Sequence, residues 1–591
     1  MPKESIDFTS KISEVKDFLT LGSFEEALAI IEALENAEQL NETEKLSGLI
    51  FRSQIHTKMG NYKASLELAE RAWKESQGRA LQGVDACIAK AEALWRFGRY
   101  DESLQAISEG ETLLSTLKDA DQSALEQRNA LFAHHKGAIY LRRGKLDRAL
   151  EYLQQSLELS ETLADKLQFA ESNNFMGIIC AMKGEFDQAL NYHQMSLVMS
   201  EELGSKLEIG RSLNNIGIVY MQQGALDRAL EYYEQCLPFY EEVGNRENIG
   251  GTLNNLGLIY QNKGNLKRAL EYYQKALVQL KEGQISKYAC GAVLNNMGEV
   301  YGLRGELNQA IKCYTEAFEI YEELDNKYGY CVVLGNLGVL FSQKGELNRA
   351  SEYLERSLRI DEELGNNFTA SESLLWLVSV AIDREAMEDA KEYWQRLCRI
   401  ADQEKSKVIK QNCRLAEALV LKASSRIKDK AKAQETLQQL VEDGTANYMV
   451  TITAMLNLCE LLLEELKAYG ETSVLNEAKN LVDRLLSMAT EQNSFSLAVN
   501  VILLQAKFAL IEGDLISSTK LLEQARMTAE RQDLVSLVDK ARREQQLLEE
   551  QLMNWQQLIQ SNAPLQERIK QATITEYLKE ALKLARMRSD Q

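Results

Sequence analysis

Proline is nearly absent from this sequence, with only Pro2, Pro238 and Pro564 among 591 residues. Proline interrupts helices, and the rest of the chain is rich in alanine, leucine, glutamate and lysine, which are strong helix formers. The composition therefore predicts an almost entirely helical, all-α protein.

Long apolar runs and paired cysteines are missing as well. No stretch approaches the ~18 to 20 apolar residues that span a bilayer, and the N-terminal segment MPKESIDFTS lacks the apolar core of a signal peptide. The nine cysteines are scattered without a CxxC pair, which fits neither a disulfide framework nor a zinc site. We expect a cytoplasmic protein that does not contact a membrane.

Basic charge is in deficit, because 68 Lys and Arg residues face 88 Asp and Glu residues, for a formal net charge of −20. Nucleic-acid binding depends on basic side chains that displace counterions, so we expect no nucleic-acid partner. The segment 401–434 runs against this balance, with nine basic and four acidic residues. It is a candidate for docking an acidic surface of a partner or of the chain itself, although most such segments are solvated faces.

Catalytic and metal-binding signatures are also missing. The sequence has four histidines and no HExxH, phosphate-binding glycine loop or GxSxG motif. The adjacent His134 and His135 point ~100° apart on a helix and have no evident third ligand. We therefore expect no catalytic residue, no metal and no cofactor; an enzyme would need a buried polar cluster, which the sequence does not indicate.

What the sequence does contain is a repeat. A glycine recurs at intervals of about 40 residues, and the clearest copies read LNNIGIVYMQQGALDRALEYYEQCL from Leu213 and LNNLGLIYQNKGNLKRALEYYQKAL from Leu253. These glycines are Gly22, Gly60, Gly98, Gly144, Gly184, Gly224, Gly264, Gly305 and Gly345. Apolar residues follow a helical period on both sides of the glycine. Each copy is therefore predicted to form two helices joined by a short turn.

A second glycine lies inside the first helix of six copies, where glycine costs ~1 kcal/mol relative to alanine; these are Gly137, Gly177, Gly217, Gly257, Gly298 and Gly338. Gly217 and Gly257 are examples, and each is followed twelve residues later by an alanine, Ala229 or Ala269. This spacing predicts that glycine faces alanine where the two helices approach closely.

Leu256, Gly257, Tyr260, Ala269 and Tyr273 together resemble the tetratricopeptide repeat (TPR) pattern. The 40-residue period is most similar to the subtype found in kinesin light chain, spindle-orientation adaptors and Rap regulators. The resemblance implies a right-handed α-solenoid, a superhelix of about thirteen helical hairpins followed by C-terminal capping helices.

The strength of the pattern varies along the chain. We expect divergent N-terminal repeats over 11–130, a regular array over 131–367, divergent C-terminal repeats over 368–536 and a helical cap over 537–591. One longer helix is predicted from Leu537, and a final helix from Leu565 to about Met587. The cap covers the last repeat, or alternatively serves as a dimerisation helix.

Asparagine recurs on a second stripe of the first helices, although it is a mediocre helix former. In the resembled family this stripe lines the inner wall and binds the backbone of a partner peptide, which suits amides that both donate and accept. The resemblance implies these partner-binding residues: Asn174, Arg211, Asn214, Asn215, Ile218, Asn254, Asn255, Leu258, Asn295, Asn296 and Asn336. The alternative is that the asparagines bond to one another between adjacent repeats and set the superhelical pitch.

The resulting functional expectation is a non-enzymatic interaction scaffold. Its groove would bind a peptide or helix of a partner protein, amphipathic because apolar residues alternate with the amides. The alternative is a peptide-sensing regulator of the Rap or transcription-regulator kind. A homodimer through the C-terminal helices is also possible.

Overall fold

The computed structural model describes residues 8–36, 40–76, 80–117, 120–282, 287–324, 326–443 and 448–585, and across these ranges helix is the only regular secondary structure. The first twenty-six of its thirty helices form thirteen successive pairs, here called hairpins 1 to 13. Each hairpin has a first helix, odd-numbered, and a second helix, even-numbered. The predicted all-α TPR solenoid of about thirteen hairpins is confirmed.

The helices of hairpins 1 to 7 are α1 Phe8–Leu21, α2 Phe24–Glu35, α3 Glu42–Lys58, α4 Tyr62–Glu75, α5 Ala80–Arg96, α6 Tyr100–Ser115, α7 Gln122–Arg142, α8 Leu146–Thr162, α9 Lys166–Met182, α10 Phe186–Leu203, α11 Lys206–Gln222, α12 Leu226–Val243, α13 Arg246–Asn262 and α14 Leu266–Glu282. Those of hairpins 8 to 13 are α15 Lys287–Leu303, α16 Leu307–Glu323, α17 Lys327–Gln343, α18 Leu347–Leu364, α19 Asn367–Asp383, α20 Met387–Gln403, α21 Lys407–Lys422, α22 Ile427–Glu442, α23 Tyr448–Tyr469, α24 Thr472–Glu491, α25 Phe495–Glu512 and α26 Leu515–Arg531. The tail comprises α27 Val535–Glu550, α28 Leu552–Gln560, α29 Leu565–Ala572 and α30 Ile574–Ala585.

The chain divides into two compact units, with the boundary inside hairpin 7. Unit 1 comprises Met1–Ile259 and Val278–Ser286, and unit 2 comprises Tyr260–Leu277 and Lys287–Gln591. The four segments expected from the strength of the repeat pattern stay a prediction.

The predicted turn glycines end the first helices in a left-handed conformation. Gly224 has φ +75°, and the N–H of the following Ala225 bonds to the carbonyl of Tyr220 at 2.9 Å. This conformation is accessible to glycine at little cost. In hairpin 10 the turn persists although Glu385 takes the glycine position, with φ +61°.

At Gly137 and Gly217, the glycine inside the first helix faces a different residue from the one expected. A Cβ at Gly217 would lie 2.8 Å from the Tyr233 ring, and one at Gly137 would lie 2.5 Å from Leu153. The expected partner at Gly137, Ala149, approaches only through its carbonyl oxygen, at 3.4 Å. The glycine therefore makes room for a large side chain sixteen residues later, one helical turn beyond the alanine.

Each unit also contains contacts between hairpins that are far apart in sequence. In unit 1 the Tyr62 hydroxyl donates to Glu247 at 2.7 Å. In unit 2 the Asn493 amide donates to the carbonyl of Asn262 at 3.0 Å. The successive hairpins of each unit thus curve far enough for its early and late hairpins to meet.

The tail differs from its predicted helices. The helix expected from Leu537 begins at Val535 and ends at Glu550, where Gln551 separates it from α28. The final helix is likewise divided, because Thr573 adopts φ +49° between α29 and α30, and Met587 lies outside the described residues. Both α29 and α30 pack against α23 and α25, the first helices of hairpins 12 and 13. They therefore lie on the last two hairpins, and a capping role for the segment 537–591 stays a prediction.

Helix α25 is long and apolar enough to cross a membrane, the one such helix among the described residues. In this fold 83% of it is buried, against α26 on one side and α30 on another. Its apolar composition is accounted for by this packing inside unit 2.

Substitutions at two glycines of unit 1 test the helix packing. Gly217→Ala should destabilise the protein by about 1 to 3 kcal/mol, because the new methyl group meets the fully buried Tyr233. Gly251→Ala is the matched control: nothing lies within 4 Å of its Cβ position, so it should gain about 0.5 to 1 kcal/mol. Urea unfolding measures both, and equal effects at the two positions would contradict the packing argument.

Candidate functional site

The predicted asparagines form an amide ladder along the first helices. The glycine inside the first helix is here called the packing glycine, and the ladder asparagines lie two and three residues before it. In three places, the asparagine two residues before the packing glycine of one hairpin donates a hydrogen bond to an asparagine of the preceding hairpin. That acceptor lies three residues before the packing glycine of its own hairpin. The distances are 3.4 Å from Asn215 to Asn174, 3.4 Å from Asn255 to Asn214 and 3.0 Å from Asn336 to Asn295. The ladder has the geometry of the alternative interpretation, in which the amides link adjacent repeats.

Most of the predicted residues are nevertheless partly accessible. Asn214, Asn215, Ile218, Asn254, Asn255, Leu258, Asn295, Asn296 and Asn336 are all half-buried. Asn174 is different: it is 4% exposed, its Oδ1 lies 3.0 Å from His193 Nδ1, and it donates to Ser212 at 3.1 Å. Asn174 is thus part of the interior of unit 1, whereas the nine half-buried residues are partly exposed on the face formed by the first helices.

A double-mutant cycle tests the ladder. Asn336→Ala and Asn295→Ala should each lower the free energy of unfolding by about 1 kcal/mol, because each removes the same hydrogen bond. The double variant should lose less than the sum of the two. Asn348→Ala, on an exposed position of α18, is the control and should be neutral. Strict additivity would show that the two amides are not coupled.

Arg211 lies in a cluster of buried and half-buried charged and histidine side chains in unit 1, here called the ion cluster. It is made by Lys58, Glu92, Arg96, His134, His135, Glu171, Glu208 and Arg211, contributed by the first helices of hairpins 2 to 6. Arg211 pairs with Glu208, and its Nη1 lies 3.9 Å from Glu171 Oε1. The predicted partner-binding arginine is therefore engaged by acids of its own chain.

Lys58 is the centre of the ion cluster. Its Nζ lies 2.8 Å from Glu171 Oε1 and 3.8 Å from Glu92 Oε1, and Glu92 also pairs with Arg96 at 3.0 Å. Lys58 and Glu171 are 113 residues apart in sequence. The cluster thus joins hairpin 2 to hairpin 5 through the interior of unit 1.

The neighbouring charges decide the protonation of these acids. Burial by itself would raise the pKa of Glu92, but Lys58 and Arg96 lower it to about 2. Burial likewise opposes ionisation of Glu171, and Lys58 outweighs it, so the pKa of Glu171 is also lowered. Both carboxylates are ionised at neutral pH, as buried ion pairs require.

The two histidines of the ion cluster are neutral. Burial lowers the pKa of His134 to about 3 and that of His135 to about 4. His135 Nδ1 accepts a hydrogen bond from Trp95 Nε1 at 3.3 Å, and His134 Nδ1 lies 3.2 Å from the Ser172 hydroxyl. Within the described ranges, no group of three or more His, Cys, Asp or Glu side chains is placed to hold a metal ion.

A buried polar cluster therefore exists, although the sequence did not indicate one. Its members lie on the same stripe as the asparagines, at positions where other hairpins carry amides or apolar residues. The ion cluster could have been suspected from the sequence only by aligning the first helices on their packing glycines and noting where charged residues replace amides or apolar residues. The pairings themselves join distant hairpins and have no local signal.

The histidines predict an acid-dependent loss of stability. A histidine that is neutral when folded but protonates near pH 6.5 when unfolded stabilises the fold above pH 6.5, and this contribution is lost as pH falls. Between pH 6.5 and 4, each histidine should lower the free energy of unfolding by about 1.4 kcal/mol for every unit by which the pH falls. Urea unfolding across this range measures how steeply the free energy of unfolding falls with pH, and this slope should be smaller for His135→Gln than for wild type. An unchanged slope would contradict the role assigned to His135.

In unit 2 the first-helix face carries a groove formed by two adjoining depressions. The first lies between α17, α18 and α19, and the second between α19, α21 and α23. Glu372 and Trp376 line both. Trp376 occupies, forty residues after Asn336, the position of the next ladder asparagine, so the groove begins where the ladder ends.

The two halves of the groove differ in chemistry. The first contains Asn336, Asp361 and Thr369, and has an empty volume of about 490 Å³ that includes its mouth. The second is mainly apolar, with Leu415, Leu419 and Met449 among its lining residues and an empty volume of about 460 Å³. Asn336 is thus one predicted partner-binding residue that lines a cavity.

The groove is followed along the same face by the tail of the chain. Helix α30 lies on α23 and α25, and Lys467 of α23 donates to the Thr575 hydroxyl at 2.8 Å. The ammonium groups of Lys507 and Lys540 make cation–π contacts with Tyr577 of α30, and each lies 4.8 Å from the centroid of its ring. The first helices of unit 2 therefore already hold one short amphipathic helix.

The basic segment 401–434 is engaged within unit 2. Lys422 pairs with Glu460, Lys430 lies 2.7 Å from Glu464, and Arg414 lies 2.6 Å from Asp443. It docks, at least at these residues, on acids of its own chain.

Two protein-family models match parts of this chain. A family model described as "MalT-like TPR region" matches residues 216–551, more than half of the chain, and one described as "Tetratricopeptide repeat" matches residues 129–202. Comparison with curated protein sequences gives no significant match.

Three solved structures illustrate the structural likeness. A Rap protein complexed with competence and sporulation factor is 15% identical over 61% of this chain and 99% of that chain, with a TM-score of 0.46. Aspartyl phosphate phosphatase F from Bacillus subtilis is 14% identical over 61% and 95%, with a TM-score of 0.39. A STAND signal-transduction ATPase with a TPR sensor from Pyrococcus horikoshii is 14% identical over 71% and 72%, with a TM-score of 0.46.

Proposed function

The chain belongs to the family of MalT-like tetratricopeptide repeat regions, and from this premise we propose that it is a non-enzymatic protein-interaction module. Its ligand is a peptide or helix of a partner protein, bound along the first helices of unit 2. The two ends of the binding surface are the ladder residue Asn336 and the apolar depression beside Met449.

The observation that carries this proposal is the position of α30. It lies across α23 and α25, the continuation of the wall that forms the groove over α17, α19 and α21. A wall that holds one amphipathic helix of its own chain has the shape and the apolar surface to hold a second segment beside it. The mixed lining of the groove favours an amphipathic ligand.

The ion cluster supports a structural rather than a catalytic role for unit 1. Its acids face Lys58, Arg96 and Arg211 at ion-pair distances, and its histidines are neutral. Buried charges are tolerated when they are paired in this way. A role of Arg211 in partner binding would require it to leave Glu208, so we place the partner segment on unit 2.

A random peptide library displayed on phage tests the proposal. Wild type should enrich peptides, and Trp376→Ala should bind them about 30-fold or more weakly, as expected for truncation of an aromatic anchor. Trp394→Ala is the matched control, since this half-buried tryptophan lies on the second helix of the same hairpin. Failure of wild type to enrich any peptide, or equal loss in both variants, would count against the groove.

A peptide-sensing regulator is the second candidate, and one contact of unit 2 favours it. Phe495 packs against the turn at Gly264, with ring atoms 2.1 and 2.5 Å from the position a Cβ would take there. A ligand that changes the curvature of unit 2 would strain this contact. An enriched peptide that alters the radius of gyration in solution scattering supports the sensor, whereas binding without that change supports the scaffold. Cytoplasmic location and dimerisation through the tail stay predictions.

A further inference from the structure

Hairpin 9 departs from its neighbours at a core position. At the inner end of the second helix, the three preceding hairpins place Tyr240, Leu280 and Tyr321, all almost fully buried. Forty residues after Tyr321 the same position holds Asp361, which is 2% exposed. An apolar or aromatic core side chain is thus replaced by a carboxyl group.

The replacement leaves space. Tyr321 packs so closely on Gly291 that a Cβ there would lie 2.9 Å from its ring. In hairpin 9 the equivalent pair is Cys331 and Asp361, and neither side chain has the volume of a tyrosine. The result is space inside the first depression of the groove, which both residues line and whose cavity volume, without the open mouth, is about 50 Å³.

A second departure lies in the lining of this cavity. Gly335 takes the ladder position held by Asn214, Asn254 and Asn295 in the preceding hairpins. Packing does not require glycine here, because the atom nearest to the position a Cβ would take is Ser357 Oγ at 3.7 Å, an ordinary contact distance. Glycine in mid-helix is destabilising, so its presence calls for another explanation, and it leaves the cavity accessible.

Asp361 lines this cavity, and the surroundings of its two carboxylate oxygens differ. Its Oδ1 accepts a hydrogen bond from the Thr369 hydroxyl at 2.5 Å, whereas its buried Oδ2 makes no hydrogen bond. The Cys331 thiol beside it donates to the carbonyl of Ser357 at 3.4 Å. Among the described residues that line the cavity there is no lysine, arginine or histidine, and Glu372 adds a second acid. Burial raises the pKa of Asp361 and outweighs the Thr369 hydroxyl and the Cys331 thiol, whose hydrogen bonding lowers it.

We propose that this cavity binds the side chain of a lysine or arginine of the partner segment, with its cationic group on Asp361 Oδ2. The proposal rests on the proposed function and specifies the residue that the groove recognises. A volume of about 50 Å³ holds only a few water-sized groups, so it fits the end of one side chain rather than a whole ligand. Trp376 also lines this cavity, so its indole group can report on what binds there.

The neighbouring depression extends this recognition to a short motif. Adjacent packed helices are about 8 to 10 Å apart, and an extended chain covers about 3.3 to 3.6 Å per residue. A basic residue in the Asp361 cavity therefore places an apolar residue about three positions away on Leu415 and Met449. The motif is basic and apolar, in keeping with the acidic and apolar halves of the groove.

Two small probes test the cavity without any partner. N-acetyl-arginine amide should shift the indole N–H signal of Trp376 in the ¹⁵N-tryptophan NMR spectrum of the full chain, assigned through Trp376→Phe. N-acetyl-citrulline amide, which has the same shape without the charge, should bind about tenfold or more weakly. Equal binding of the two probes, or no shift with either, would overturn the proposal.

Variants locate the effect. Asp361→Asn keeps the shape and the bond from Thr369 and should lose the preference for arginine over citrulline, and Gly335→Asn should block both probes by filling the mouth. Glu352→Gln, an exposed acid on α18, should leave the preference unchanged. Indole signals of the other tryptophans that match wild type establish that each variant is folded. A preference for arginine that survives in Asp361→Asn would exclude this carboxylate.

The phage library separates this inference from the proposed function. Enriched peptides should carry a lysine or arginine about three positions from an apolar residue, and Asp361→Asn should enrich peptides without that basic residue. If wild type enriches peptides with no basic residue, the groove binds partners but the cavity inference is wrong. If no peptide is enriched while arginine still outcompetes citrulline, the cavity is right and the proposed function is wrong.

Discussion

The close approach of two helices at a glycine is the contact on which the rest of this structure depends. A large side chain from the second helix, Tyr233 in hairpin 6 and Leu153 in hairpin 4, fills the space that the glycine of the first helix leaves. This contact fixes the angle between the helices of hairpins 4 to 9, where the glycine recurs about every 40 residues, and it turns the same stripe of their first helices toward one wall. Interactions between hairpins, including the amide ladder, follow from that alignment.

The same alignment brings polar side chains together on the wall formed by the first helices. The two units accommodate these polar groups in different ways. In unit 1 the stripe carries full charges, and Lys58 and Glu171 approach closely enough to neutralise each other. Burial of either alone would be costly, so the pairing holds hairpins 2 and 5 together. In unit 2 the wall holds α30 at one end and a groove beside it.

The sequence was sufficient for everything that repeats. The number of hairpins, the turn glycines and the ladder positions follow from a period that can be read along the chain. The partner of Gly217 was misjudged by one helical turn, because spacing alone does not say which of two inward residues has its side chain at the contact. The pairing of Lys58 with Glu171 could not be predicted, since it depends on the curvature summed over several hairpins. The break at Thr573 also had no signal, because threonine rarely adopts a positive φ.

A repeat protein provides its own reference for judging unusual residues. At most positions, neighbouring hairpins show what the packing requires, so a residue that differs can be weighed against side chains in an equivalent environment. Tyr240, Leu280 and Tyr321 show that the position of Asp361 accepts large apolar groups. A buried carboxylate without a cation is less stable than any of these, and the lysine or arginine of the proposed partner segment would offset that cost. Gly335, a destabilising residue in the same hairpin, lines the same cavity.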